Sequence, residues 1–274
     1  MEIFLLIGLF LGIVMGLTGA GGGILSVPLI VSFTQLSIME AAPIGLMTVL
    51  SASTVSAILG LKQGHVRYRA AILMSIFGII FSALGLWVAH QTSNHILSII
   101  FSIILLWSAL NTLRSKGDLN HKGTMKCDQN QNTKRFIWTK KCSLFMMLTG
   151  SLTGFLSGML GVGGGFIIVP ALRKLSSLTH QSIIATSLTT ISIVSFFIVL
   201  TSSLTIQNIN WNIALPSLVS SITGIIFAKS THKKLNADIL NKIFAFLLIA
   251  VALLLILKSF KISIKHSITE YVWG

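Results

Sequence analysis

A glycine-rich phrase that occurs twice constrains this chain more than any other feature. Gly16-Leu-Thr-Gly-Ala-Gly-Gly-Gly-Ile-Leu-Ser-Val-Pro-Leu29 aligns without a gap on Gly158-Met-Leu-Gly-Val-Gly-Gly-Gly-Phe-Ile-Ile-Val-Pro-Ala171, 142 residues later. Seven of the fourteen positions are identical, among them three consecutive glycines and the closing Val-Pro. Both copies lie inside long apolar stretches. This points to a duplicated membrane chain whose backbone is broken at two related places.

Composition agrees. Charged residues make up 9% of the 274 and apolar residues 53%, with a mean hydropathy of +0.89. A soluble domain carries roughly 25% charge on its surface. Apolar stretches fall at 3–36, 44–61, 70–89, 96–113, 143–172, 181–204, 211–228 and 239–257, divided four and four by a basic loop, 114–141. Most approach the roughly 20 residues that cross a bilayer as a helix. The expected organisation is a first membrane repeat (1–113), a basic loop (114–141), a second repeat (142–257) and a tail (258–274). Weaker matches keep the same register: Leu46, Thr48 and Ser53 correspond to Leu188, Thr190 and Ser195. After one inserted residue, Tyr68 corresponds to Trp211 and Ile96-Leu97 to Ile239-Leu240.

The net charge of +14 would ordinarily raise nucleic-acid binding. Here the 20 Lys and Arg sit almost entirely in short segments between apolar stretches, the usual orientation signal of membrane proteins, so nucleic acid is not an expected partner. The bilayer is. Cys127 and Cys142 flank the central loop and make no disulfide framework or metal motif, so both are expected to be reduced. The start, Met1-Glu2-Ile3-Phe4, lacks a positive n-region and is expected to remain in the mature protein.

The opening stretch of each half is too long for one straight span. Residues 3–36 would form a helix of roughly 50 Å, against a hydrocarbon core of about 30 Å. Two half-helices of about 14 residues, meeting at the glycines near the midplane and returning to one side, would fit. Charge counting favours this arrangement. With 62–69 and 114–141 cytoplasmic, re-entrant openings place 17 Lys/Arg inside and 3 outside; single spans give 14 and 6. A hairpin plus three spans is an odd number of crossings, so the second half is inverted, the recurrent construction of secondary transporters. Both termini are then outside. Trp87 and Trp211 fall at outer ends and Trp138 beside the inner face, as an aromatic belt requires.

Unwound backbone at membrane depth is tolerated where it is buried in protein or lines a cavity. The half-helix that follows presents free N–H groups and a positive dipole end, which suit an anion. The candidates are Gly19, Gly21, Gly22 and Gly23, with the hydroxyls of Thr18 and Ser26, and in the second copy Gly161, Gly163, Gly164 and Gly165. Pro28 and Pro170 add a helix irregularity beyond each break. Close helix packing by small residues is the competing reading of the same glycines. Thr48, Thr186, Ser187 and Thr190 lie on hydroxyl-rich helices that either line a polar path or pack closely. The only acids are Glu2, Glu40, Asp118, Asp128, Asp238 and Glu270, none in the middle of an expected span, so a carboxylate proton relay is unsupported. Glu40 and His65 read as interfacial. No nucleophile or metal motif is present, and no enzyme, metal or organic cofactor is expected.

Two copies of G-x-G-G-G-x-x-x-V-P, at Gly19, Gly21–Gly23, Val27-Pro28 and Gly161, Gly163–Gly165, Val169-Pro170, resemble the TauE/SafE family of sulfite exporters. Ala185-Thr-Ser-Leu188 is also similar to that family's pattern. The first half departs there, reading Pro43-Ile-Gly-Leu46, so an equal contribution of both halves to one site is not implied. The resemblance implies an inner-membrane permease for small sulfur-containing anions such as sulfite or sulfonates. Alternatives are an anion channel or a non-transporting scaffold subunit; homo-oligomerisation is left open.

Overall fold

A computed structural model describes residues 2–19, 21–34, 36–114, 139–176, 178–205, 210–231 and 242–257. The central loop from 115 to 138, with Trp138, and the tail from 258 lie outside the described residues. The described chain is helical: α1 (Glu2–Thr18), α2 (Gly21–Phe33), α3 (Ile38–Lys62), α4 (Tyr68–Gln91), α5 (Asn94–Arg114), α6 (Lys140–Leu160), α7 (Gly165–Leu175), α8 (His180–Thr205), α9 (Trp211–Thr231) and α10 (Lys242–Leu257). Six of them, α3, α4, α5, α6, α8 and α9, are long and apolar enough to cross a membrane. Large apolar side chains such as Leu6, Ile80, Trp87, Phe227 and Phe246 are exposed, as a lipid-facing surface requires.

Helix starts follow local chemistry. Ser37 caps α3 in a capping box: its hydroxyl accepts the Glu40 N–H, and the Glu40 carboxylate accepts the Ser37 N–H at 2.8 Å. Glu40 is therefore a helix cap. Thr139 caps α6 by accepting the Cys142 N–H at 3.2 Å. Cys142, expected as a thiol, is fully buried in the first turn of α6 and disulfide-bonded; its partner lies outside the described residues.

Both opening stretches break at the glycines, but into unequal limbs. The expected limbs of about 14 residues are 17 and 13 in the first half and 21 and 11 in the second. The longer first limb has a physical cause. Gly8, Gly12 and Gly16 on α1 form a ladder that packs on Ser217, Ser221 and Ile225 of α9. Gly150, Gly154 and Gly158 on α6 pack in the same way on Met74, Gly78 and Ser82 of α4. The two ladders stand 142 residues apart, and their partners 143. A Cβ on Gly12 or Gly154 would strike the backbone of the facing helix, so glycine is what permits this approach. Helical geometry is kept until the ladder ends, and only then does the chain turn.

After each turn the chain folds back. Gly22 lies against Leu11 and Met15, and Gly164 against Thr153. In one continuous helix, residues 11 and 22 would be about 16 Å apart. Each opening stretch is thus a helical hairpin. The second limbs occupy the interior, where Ile24, Leu25, Val27 and Ile30 of α2 and Ile168 of α7 have no exposure.

The principal helix contacts repeat when the halves are exchanged. α1 lies on α9 as α6 lies on α4, α3 meets α9 as α8 meets α4, and α3 meets α8. Numbers rise together along α1 and α9, and along α6 and α4, so these pairs are parallel. The equivalent helices α3 and α8 run in opposite senses: Leu46 clusters with Val194 and Ile198, Thr54 bonds Ser192 at 2.8 Å, and Gly60 meets Ala185. The Arg67 N–H then donates to Thr186 Oγ1 at 3.0 Å, near the start of α8, where Arg173 from α7 reaches His180 Nδ1 at 3.1 Å. Lys62, Arg67, Arg69, Lys140, Lys141 and Arg173 consequently gather at one end of the bundle. Glu2, Glu40, Trp87 and Trp211 lie toward the other.

Gly12→Ala and Gly154→Ala should each lower stability by about 1–3 kcal/mol through overpacking, read as a lower thermal midpoint in detergent. Unchanged midpoints would show that the helices do not meet at these glycines.

Candidate functional site

The two breaks come together at the middle of the bundle. A Cβ on Gly23 would stand 2.8 Å from the Val162 carbonyl oxygen and 3.7 Å from Val49; one on Gly163 would stand 2.7 Å from Val49 and 3.3 Å from Ile191. Val49 is near the middle of α3 and Ile191 near the middle of α8. Around this centre Gly19 packs on Ile184 of α8, and Gly161 on Ala42 of α3, positions related by the same 142-residue offset.

The turns themselves need glycine. Gly19 adopts φ 78°, and Gly161, Gly163 and Gly164 adopt φ 73°, 67° and 65°. This left-handed region costs other L-residues roughly 1–2 kcal/mol each. The first break leaves only residues 19 and 20 between its helices, while the second leaves 161–164. α7 starts from Gly164 with no side-chain cap. Among the described residues, the N–H groups of Val162, Gly163 and Gly164 meet no backbone acceptor. Those of Gly165 and Phe166 at the start of α7 have none by construction, whereas the Ile167 N–H donates to the Gly164 carbonyl at 3.2 Å. Pro28 and Pro170 sit inside α2 and α7, where their missing N–H frees the carbonyls of Ile24 and Phe166 from the usual helix bond.

Most of the hydroxyls named from the sequence lie around this centre and are already engaged; Thr186 lies instead toward the basic end, where it accepts the Arg67 N–H. Thr18 donates to the Val14 carbonyl at 2.8 Å and Ser26 to the Gly23 carbonyl at 2.8 Å. Ser187 reaches the Gly19 carbonyl at 3.1 Å and the Ile184 carbonyl at 2.9 Å, tying α8 to the first turn. Thr190 donates to the Thr186 carbonyl at 3.1 Å. Thr48 reaches the Ile44 carbonyl at 2.9 Å and Ser217 Oγ at 3.1 Å, and so joins α3 to α9. Gly21 and Gly165 open α2 and α7.

Other buried polar groups escape a sequence reading. Among the described residues, the buried hydroxyls of Ser75, Thr153, Ser157 and Ser195 have no hydrogen-bond partner, and Arg67 leaves its buried Nε without an acceptor. Thr153 and Ser157 sit one residue ahead of Gly154 and Gly158. Their spacing of four was the available signal, but only three-dimensional hydrogen bonding separates an unmet hydroxyl from one bonded to its own helix. A cavity of about 240 Å³ between α5 and α10, lined by His95, Ser98, Ser102 and Ile256 among others, has no residue of the glycine turns in its lining. Among the described residues no group of His, Cys, Asp and Glu is placed to hold a metal ion.

This doubled glycine turn coincides with a known profile, that described as Sulfite exporter TauE/SafE, which matches residues 4–255. The chain belongs to the TauE/SafE family. Within curated proteins, a probable membrane transporter protein of Xylella fastidiosa (strain 9a5c) is 28% identical over 257 residues, covering 92% of this chain and 93% of the relative. Another, YunE of Bacillus subtilis (strain 168), also a probable membrane transporter protein, is 25% identical over 272 residues, covering 93% and 96%. No solved structure matches the chain. With six membrane-length apolar helices among its described residues, this TauE/SafE member is a multi-pass membrane protein.

Two glycines with similar backbone but different surroundings test the turn. Gly161→Ala, with Ala42 in the way, should cost about 2 kcal/mol or more of stability; Gly64→Ala, left-handed but in open space, about 1 kcal/mol. Equal losses in thermal unfolding would remove the Ala42 contact from the account.

Proposed function

We propose that this chain is a secondary transporter for a small, sulfur-containing oxyanion, which binds between the two glycine turns. The observation that carries this reading is the meeting of the two glycine breaks beside Val49 and Ile191, in the protein interior at mid-height of the bundle, with α7 starting uncapped from Gly164. Free N–H groups at a helix start favour an anion, and burial strengthens the interaction. Arg67 and Arg173, at the basic end of the bundle, would attract an anion toward it.

Two inverted repeats supply the mechanism. The antiparallel course of α3 and α8 supports this, as does the exchange of contacts between halves. The gathering of Arg173 with the 62–69 loop supports re-entrant hairpins over single spans, with that end cytoplasmic and the chain in the cell (inner) membrane. Rocking one repeat on the other would expose the central site alternately to each side. The description of the family as sulfite exporters, and of relatives as membrane transporters, supports the substrate class and a non-enzymatic role.

Purified protein in proteoliposomes should carry labelled sulfite with saturable kinetics. Non-saturating flux would mean a channel, and no flux of any small anion a scaffold. Gly22→Leu and Gly164→Leu should insert normally and lose transport; wild-type flux in both would reduce these glycines to packing. Reporter fusions should place residue 176 inside and residue 206 outside, and the reverse at either position would refute the inverted arrangement.

A further inference from the structure

We propose that the anion is held at the second glycine turn alone, by the N-terminus of α7 together with the hydroxyls of Thr153 and Ser157, and that the first turn is its structural counterpart. This rests on the transporter reading above and deepens it.

A hydroxyl has one proton to donate, and an anion needs donors. The protons of Thr18, Ser26, Ser187 and Thr190 are directed at backbone carbonyls, and Thr48 is shared between a carbonyl and Ser217. Thr153 and Ser157 are 1% and 0% exposed, yet among the described residues neither hydroxyl has a partner. Such burial without a bond is unfavourable unless a ligand completes it. Their place is specific. Thr153 borders Gly164, the uncapped residue from which α7 starts, with its methyl group and carbonyl the nearest atoms. Ser157 lies one turn further along the same face of α6, and its carbonyl accepts the Gly161 N–H at 2.9 Å, at the other edge of the unwound segment.

The first half has nothing equivalent. At the 142-residue offset, Thr153 and Ser157 correspond to Leu11 and Met15, which pack against Gly22. The first turn is also shorter, with one left-handed glycine against three in the second. Backbone donors and hydroxyl donors therefore coincide on one side of the pseudo-symmetric centre. Donors from two elements, α6 and the start of α7, suit an anion with two or more acceptor oxygens.

Binding of sulfite, sulfate, methanesulfonate and sulfoacetate to the full-length protein in detergent, measured by calorimetry beside thermal unfolding without ligand, tests this. Thr153→Val and Ser157→Ala should each weaken binding of the anion that wild type takes by about tenfold to a hundredfold. Ligand-free midpoints should be unchanged or raised, because an unmet buried hydroxyl has been removed. Thr153→Ser should keep binding within a few-fold, and Ser75→Ala, which removes an unmet hydroxyl on α4, should bind as wild type does. Wild-type affinity in both Thr153→Val and Ser157→Ala, or lost binding in Thr153→Ser, would overturn the assignment and leave the transporter reading standing. No binding of any of the four anions by wild type would overturn both.

Discussion

Backbone-to-backbone contact along the glycine ladders is the interaction on which the rest of this structure depends. Inside a bilayer, apolar surface alone gives helices little reason to associate, so close approach and dispersion must supply it. Gly8, Gly12 and Gly16 bring α1 onto α9, and Gly150, Gly154 and Gly158 bring α6 onto α4. These contacts hold the first limb of each hairpin straight up to its break. They also leave the second limbs, α2 and α7, in the interior, where protein surrounds backbone that lipid would not tolerate. Without the ladders, the unwound glycines would have no protected place to be.

Duplication provides the frame and divergence provides the chemistry. The frame is visible in pairs that obey one offset: Gly19 on Ile184 and Gly161 on Ala42, Gly22 on Leu11 and Gly164 on Thr153. The divergence is visible where the same offset joins unlike residues. Leu11 and Met15 face Thr153 and Ser157 in this correspondence, and Ile44 and Gly45 face Thr186 and Ser187. An inverted pair of identical halves would offer two equal half-sites. Here the unmet hydroxyls Thr153 and Ser157 lie on α6 of the second half, while Thr18 and Ser26 of the first half, which correspond to Leu160 and Ile168, are bonded to carbonyls.

Much of this was legible in the sequence. Hydropathy located the helices, and the glycine phrase located both breaks, because glycine alone adopts φ near 70° without strain, as Gly19, Gly161, Gly163 and Gly164 do. Limb lengths were misjudged at about 14 residues, since hydropathy is the same on either side of a turn. The glycine ladder was written in the chain as a spacing of four, but its partners on α9 and α4 are distant from it in sequence and emerge only on folding. The hydroxyls show the limit most clearly. Thr18 and Thr153 are the same residue type on equivalent helices, yet one hydroxyl bonds its own Val14 carbonyl and the other has no partner among the described residues. Composition and period carry no record of that difference. The state of Cys142 was likewise beyond reach, because a pairing of two cysteines is a matter of proximity.

The central claim is that an oxyanion binds where the broken backbones meet. Selenite has the shape and charge of sulfite, and its selenium scatters anomalously. Crystals of the protein grown with selenite should show one anomalous peak per chain, within hydrogen-bonding distance of the α7 N-terminus at Gly164–Phe166 and of Thr153. A peak elsewhere, such as the cavity between α5 and α10 beside His95 and Ser98, with none at the glycine turns, would contradict the account.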